Sequence, residues 1–295
     1  MSRSRLAAFA LISVAIAWGG AFVLMEPAIE RQPIFNFLAF RFTIAVLVMV
    51  AVRPGVLKRF NKTLLIQGSL LGVALGGGYV TQTIGLHYST AAITGFFTGL
   101  YVALTPLLAW ILLKNKVSTK ALVGVILATI GLAVLSSGAI ELGWGEVALL
   151  ACALLFALHI VGLGVWSSNH ESYALTIVQL AMCAVLSWVG AFAWEGGIQS
   201  PPDGGVWFAI IFCAVFATAL AFFVQTWAQG FLDPSRVAII LTSEVVWTAI
   251  ISYSVGQEKP TFISLLGGGI MLVAMLIVEW PTKQKELVPL EPMVH

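Results

Sequence analysis

Val206 to Gly230 reads VWFAIIFCAVFATALAFFVQTWAQG, twenty-five residues without one Asp, Glu, Lys or Arg. An uninterrupted apolar run of that length is what an α-helix needs to cross the hydrocarbon core of a bilayer. Transmembrane strands would read as alternating segments of about ten residues. Lipid offers the backbone no hydrogen-bond partner, so a run without alternation reads as a helix that satisfies its own peptide groups.

The same reading extends to both ends of the chain. Ten runs are found: 6–25, 34–52, 64–86, 91–113, 119–137, 145–166, 172–194, 206–230, 236–254 and 261–280. Arg3 and Arg5 precede the first, a signal-like start, but nine more segments follow, so it reads as a retained signal-anchor helix. Composition agrees. Of 295 residues 60 % are apolar and only 9 % charged, against about 25 % charged in soluble domains, and the mean hydropathy is +1.00. A disordered chain and a disulfide scaffold are both excluded; Cys152, Cys183 and Cys213 all sit inside apolar runs. A net charge of +2 gives no reason to expect nucleic acid as a partner.

Lys and Arg mark the cytoplasmic side of membrane proteins. With the N-terminus inside, twelve of the 15 basic residues face the cytoplasm: Arg3, Arg5, Arg53, Lys58, Arg59, Lys62, Lys114, Lys116, Lys120, Arg236, Lys283 and Lys285. Arg31 and Lys259 fall outside, and Arg41 lies within the second segment. Both termini are therefore expected in the cytoplasm, and the tail 281–295 reads as disordered.

The two halves are related. At an offset of 143, Gln82-Thr83 falls on Gln225-Thr226, Gly124 on Gly267, and Asn115-Lys116 on Glu258-Lys259; at 138, Trp18-Gly19 falls on Phe156-Ala157 and Arg41 on Gln179. Residues 1–137 and 145–280 thus form two five-helix repeats, and an odd helix number forces the second to enter the membrane from the opposite side. The expected fold is all-α and integral to the membrane, ten helices in two inverted repeats, an arrangement typical of secondary transporters with a midplane site.

Few groups in these segments carry chemistry. An ionisable side chain inside a membrane is costly and marks a functional candidate; Arg41, His159 and Glu244 are the three well inside. Glu244 can follow cavity access by protonation or attract an amino group. Arg41 can grip a carboxylate with its planar fork, or hold backbone carbonyls at a helix break. His159 suits proton relay or a packed hydrogen bond; no second ligand is spaced for a metal. Trp18, Tyr79, Gln82, Tyr101, Gln225 and Trp247 complete a candidate substrate cavity with aromatic walls and few polar fixings. Trp144, Trp166, Trp194 and Trp207, at segment ends, read as interface anchors. Gly72 and Gly76, and Gly95 and Gly99, have the spacing of close helix contact. Gly76, Gly77, Gly78 and Pro106 are candidate gating hinges, with segments eight and nine expected to bend in parallel.

The chain resembles the ten-helix EamA branch of the drug/metabolite transporter superfamily. The residues that carry the likeness are Ala17-Trp18-Gly19-Gly20-Ala21-Phe22, Arg41-Phe42, Leu104-Thr105-Pro106-Leu107-Leu108-Ala109, Ser243-Glu244-Val245-Val246, Gly256-Gln257-Glu258 and Leu266-Gly267. It departs from the family pattern at Val245, where Pro is usual, and at Asn115, where Glu is usual. Within the branch it looks most like the YddG-type amino-acid exporters. The resemblance implies a secondary transporter in a bacterial inner membrane that exports small amphipathic metabolites, amino acids first. Cationic or aromatic drugs are the rival cargo. The implied partners are a small-molecule substrate, the lipid bilayer and protons as a coupling ion, in a monomer or weak dimer. No cofactor is expected: there is no Gly-x-x-x-x-Gly-Lys-Ser/Thr loop, His-Glu-x-x-His pair or Gly-x-Ser-x-Gly elbow. An intramembrane enzyme would need paired acid and base groups, and a non-transporting partner protein would tolerate loss of Glu244 and Tyr101.

Overall fold

A computed structural model of the chain describes residues 3–88, 94, 97–114, 117–135, 143–256 and 261–279. Gly95, the Asn115-Lys116 and Glu258-Lys259 loops and the tail 281–295 lie outside them. Among the described residues the structure is helical, with no strand. The helices are α1 (Arg3–Ile29), α2 (Ile34–Val52), α3 (Lys62–Tyr88), α4 (Tyr101–Leu113), α5 (Thr119–Leu135), α6 (Trp144–Trp166), α7 (Ser172–Trp194), α8 (Gly204–Ala228), α9 (Pro234–Ser254) and α10 (Phe262–Glu279). Seven of them, α1, α2, α3, α6, α7, α8 and α9, are long and apolar enough to cross a membrane; Phe97–Leu113, Thr119–Val134 and Leu265–Val278 are shorter apolar stretches. Exposed side chains such as Phe9, Leu47, Phe192 and Phe208 are apolar, the outer surface of a protein that faces lipid rather than water. Trp144 and Trp194 stand exposed at helix ends, where a membrane–water interface favours them.

Helix starts are fixed by side chains that accept the otherwise unpaired first amide hydrogens. Asp203 accepts from Gly205 N and Val206 N at 2.8 and 3.0 Å. Asp233 accepts from Arg236 N at 3.0 Å, with Pro234 as the first residue of α9. The Val206 and Gly205 amides, with Arg31 paired beside them, hold the Asp203 carboxyl below its ordinary range. The start of α2 has no cap of its own, since Pro33 precedes it. Glu195, from the α7–α8 connection, supplies one instead, accepting from Phe35 N and Asn36 N at 2.8 and 2.9 Å. At the other end of α2, Tyr173 Oη donates to the Met49 carbonyl at 2.7 Å and Arg53 pairs with Glu171 at 2.6 Å. Helices α2 and α7 are thus tied at both ends.

The buried side chains form two clusters. One joins the second half of α1 to α2, α3, α7 and α8, around Phe37, Phe42, Leu71, Leu175 and Phe222. The other joins the first half of α1 to α4, α5, α6, α9 and α10, around Leu11, Val102, Leu132, Ile160 and Ile240. Trp18 and Phe156 pack against both and mark the seam between them. Helix neighbours follow a reciprocal pattern: α3 lies on α6 and α8 on α1, α4 lies on α6 and α9 on α1, and α2 with α7, α4 with α9 and α5 with α10 are direct pairs.

Glycine lets α3 approach α7 closely. A Cβ on Gly72 would stand 2.5 Å from the Gln179 carbonyl oxygen and 2.6 Å from Met182 Cβ. Gly76 faces Cys183 and Leu186, and Gly78 faces the Phe156 ring. Helix α3 runs unbroken through Gly76, Gly77 and Gly78; there the glycines serve contact with α6 and α7. Because backbone cannot yield as a flexible side chain can, Gly72→Ala is expected to destabilise the protein by about 1–3 kcal/mol. Gly269→Ala, at a site with nothing within 4 Å, is expected to be neutral or stabilising by up to about 1 kcal/mol. Thermal unfolding of the two variants in one detergent tests the pair, and equal midpoints would contradict the packing argument.

Candidate functional site

Along α8 the backbone changes from α to π geometry over Val215–Leu220 and returns to α at Ala221. A π-turn leaves carbonyls free of their usual partners, and this one is used from two sides. The Ala217 carbonyl accepts from Trp18 Nε1 at 2.9 Å and from the Arg41 guanidinium at 3.3 Å. Arg41 Nε donates to Thr218 Oγ1 at 2.7 Å. Its remaining nitrogens reach Tyr79 Oη at 3.4 Å and Met25 Sδ at 3.9 Å, the second a weak acceptor. The guanidinium carbon stands 4.8 Å from the Tyr79 ring centroid and 5.7 Å from that of Phe42, a cation–π contact that offsets part of the cost of a buried charge. Arg41 is 2 % exposed and has no ionic partner among the described residues.

Helix α9 is interrupted at Ser243. The hydroxyls of Thr242 and Ser243 turn back onto the Ala238 and Ile240 carbonyls, both at 2.6 Å, the kind of local bond that bends a helix. Glu244 opens the second segment. Its carboxylate has no hydrogen bond or ion pair among the described residues, while Thr248 Oγ1 donates to its main-chain carbonyl at 2.9 Å. Tyr101 opens α4 in the same way, with Thr105 Oγ1 on its carbonyl at 2.7 Å. Its hydroxyl is buried without a hydrogen-bond partner among the described residues.

Two strings of polar groups lie behind these residues. His159 Nε2 meets Gln179 Oε1 at 2.7 Å, Gln179 Nε2 donates to Thr226 Oγ1 at 3.1 Å, and the Thr226 and Thr176 hydroxyls meet at 3.1 Å. In the second, Gln225 Nε2 donates to Gln229 Oε1 at 3.1 Å and Gln229 Nε2 to the Ile160 carbonyl at 2.7 Å. Such strings satisfy buried amides and fix which atom each presents at its free end.

These groups gather around one cavity that is continuous with open space. Of the residues singled out from the sequence, Trp18, Tyr79, Gln82, Tyr101, His159, Gln225, Glu244 and Arg41 line it together. Trp247 is not among the lining residues; its Cβ and backbone pack on Gly19, and its indole N–H is buried without a partner among the described residues. Pro106 is buried within α4, and Gly76, Gly77 and Gly78 lie in the packing face of α3. The sequence reading missed Met25, Phe156 and Phe222 in the lining, and Gln229 behind it. The repeat offsets could have found two of them. The offset that pairs Gln82 with Gln225 also pairs Tyr79 with Phe222 and Tyr101 with Glu244, and the other pairs Trp18 with Phe156. Among the described residues no group of His, Cys, Asp and Glu could hold a metal ion.

Comparison with known proteins gives a consistent family. The model of the EamA-like transporter family matches residues 5–137 and again 143–280. An uncharacterized transporter of Archaeoglobus fulgidus is 31 % identical over 268 residues, covering 91 % of this chain and 84 % of that protein. The uncharacterized transporter YetK of Bacillus subtilis is 25 % identical over 305 residues, covering 97 % and 91 %. A solved crystal structure superposes with a TM-score of 0.79 at 16 % identity, covering 93 % of this chain and 96 % of that one; at that identity the likeness concerns the fold alone.

The π-turn contacts make Arg41 a test of the site's construction. Arg41→Gln is expected to cost about 1–3 kcal/mol of stability, because it strips charge-assisted bonds from a buried carbonyl and hydroxyl. Arg41→Lys is expected not to restore it, since an ammonium cannot span Thr218 and Ala217 with one planar fork. Unfolding midpoints of both variants decide this, and full rescue by Lys would show that charge alone matters.

Proposed function

We propose, from the premise that the chain belongs to the EamA-like transporter family, that this membrane transporter exports amino acids, aromatic and other neutral ones, across the bacterial inner membrane by alternating access. The observation that carries the reading is that a guanidinium and a carboxylate, Arg41 and Glu244, line one aromatic-walled cavity, each without an ionic partner among the described residues. A zwitterion brings both missing charges. Its carboxylate takes the Arg41 nitrogen that now has only the Met25 thioether, its ammonium takes Glu244, and an apolar side chain lies against Trp18, Phe156 and Phe222. Arg41 then both holds the π-turn and reads the substrate.

The transmembrane frame proposed is ten crossings in two inverted five-helix repeats, with α4, α5 and α10 spanning alongside the seven longer helices. The reciprocal neighbours of α1 and α6, and the direct pairs α2–α7, α4–α9 and α5–α10, are what a two-fold relation between the halves would produce. The excess of Lys and Arg in alternate loops supports cytoplasmic termini. Access would alternate by motion of the two buried clusters about their seam, with the irregular points Ser243, Pro106 and the π-turn as flexures and Gly76, Gly77 and Gly78 allowing α3 to slide. Glu244 is the proton-coupling group in this reading, because it is the one acid among the lining residues and its carboxyl has no hydrogen bond among the described residues. A monomer or weak dimer fits this reading, since the cavity is lined by residues of one chain. Export of cationic aromatic drugs is the second reading, favoured by an unpaired carboxylate beside aromatic rings.

Counterflow into proteoliposomes tests the assignment. Vesicles preloaded with unlabelled amino acids should accumulate labelled Phe, Met and Thr saturably, and an imposed pH gradient should change the rate. Glu244→Gln should abolish that pH response and lower the rate about tenfold or more. No flux above empty vesicles with folded protein would remove the amino-acid assignment, and an unchanged pH response in Glu244→Gln would remove the carboxyl from the coupling step.

A further inference from the structure

The two polar strings end in the cavity, and each ends in an atom that can only accept. Gln225 is 1 % exposed and lines the cavity. Its Nε2 is committed to Gln229 Oε1 at 3.1 Å, because Gln229 has turned its own Nε2 to the Ile160 carbonyl at 2.7 Å. That leaves Gln225 Oε1 buried with no partner among the described residues. The second string reaches the same result. Gln179 Nε2 donates to Thr226 Oγ1 at 3.1 Å, so Gln179 turns its oxygen to His159 Nε2 at 2.7 Å. An amide oxygen cannot donate, so Nε2 carries the proton, and Nδ1 of neutral His159 keeps its lone pair. Nδ1 has no partner among the described residues, and the ring lines the cavity. Glu244 adds a carboxylate to the same cavity.

From this we infer that Gln225 Oε1, His159 Nδ1 and Glu244 form a three-acceptor site for a primary ammonium, with Gln229 and Gln179 as positioning residues that keep the acceptor atoms turned inward. A buried acceptor without a donor is costly, and it rewards the ligand that supplies one. A primary ammonium carries three N–H donors, one for each acceptor. A quaternary ammonium of the same charge carries none and leaves all three unpaired, whatever it gains on the aromatic walls. The inference deepens the amino-acid reading and rests on it for the cavity's role, but it concerns the ammonium end alone. It also separates amino acids from quaternary cationic drugs, which the aromatic walls by themselves do not.

The test uses two probes that lack a carboxylate and therefore bypass Arg41: phenethylammonium and its N,N,N-trimethyl analogue. Each is titrated into the purified full-length protein in detergent near neutral pH, with tryptophan fluorescence and thermal midpoint as readouts. Phenethylammonium is expected to bind about tenfold or more tightly than the trimethyl form, as charge-assisted hydrogen bonds are gained by one and forfeited by the other. Gln229→Leu and Gln179→Leu are each expected to shrink that ratio to about threefold or less, even where the variants keep the wild-type midpoint without ligand. A general loss of structure would weaken both probes alike and leave the ratio unmoved. Equal affinity for the two cations in the wild-type protein, tighter binding of the trimethyl form, or binding of neither would each overturn the inference, without reliance on any variant. Phenylalanine counterflow in the same preparation reports separately on the wider reading. Its absence with the amine ratio intact would sink the amino-acid assignment and leave the ammonium site standing.

Discussion

A polar group kept inside the membrane is costly unless it finds a partner inside the protein, and the Ala217 carbonyl is where that constraint is met from two helices at once. A regular α-helix would consume it within the helix. It lies in the π-turn at Val215–Leu220, and Trp18 from α1 and Arg41 from α2 converge on it at 2.9 and 3.3 Å. Three helices are thereby joined at one oxygen, next to the cavity. The position of the arginine, the aromatic floor of Tyr79 and Phe42 beneath it, and the orientation of Trp18 along the seam all follow from this arrangement. In water such a set of bonds would contribute little; in a low-dielectric interior an unpaired guanidinium is so costly that the bonds dictate the structure.

The hydroxyl side chains show the same constraint on a smaller scale. Thr83, Thr105, Thr129, Ser187, Thr242 and Thr248 each donate to a carbonyl of their own helix, the preceding turn in every case. They are satisfied locally and ask nothing of neighbouring helices. The amides behave differently. Gln179 reaches from α7 to His159 on α6 and Thr226 on α8, and Gln229, held by Gln225 one turn before it, reaches from the end of α8 to the Ile160 carbonyl on α6. These six hydroxyls thus shape individual helices, while Gln179 and Gln229, with the Thr176–Thr226 pair, join helices to each other.

Much of this was legible in the chain. The helical segments could be placed because hydrocarbon permits one solution for a long apolar run: α2 and α7 begin and end where the runs 34–52 and 172–194 do. The cavity residues were legible for a related reason, since polar and ionisable side chains are rare enough here for each to stand out. Arg41, Glu244, His159, Gln82 and Gln225 were found on that ground alone. Trp247 shares one helical segment with Glu244, three residues on, yet is not among the lining residues, so the spacing alone did not decide which side chain reaches the cavity. The π-turn was invisible for want of a Gly or Pro at the irregularity, and the side chain that bonds to it, Arg41 on Thr218, is 177 residues away. Nor could composition show that Phe156 and Phe222 face the cavity while Phe208 and Phe216 face outward, since a phenylalanine is equally at home in either place.

The π-turn also sets the phase of everything after it. Its wider winding accommodates one more residue than an α-turn would, so the second part of α8 is rotated by roughly 100° relative to an uninterrupted helix. Phe222, Gln225, Thr226 and Gln229 all lie beyond that point. Their common aim toward the cavity and toward α6 and α7 is therefore a property of the count of residues in Val215–Leu220 as much as of their own identities. Loss or gain of a single codon in that stretch would leave the composition, the hydropathy and the length of the span nearly untouched, and would turn the lining of the cavity toward the lipid. For a lineage carrying this helix, substitution is the gradual route by which the cavity can change, and insertion is the abrupt one.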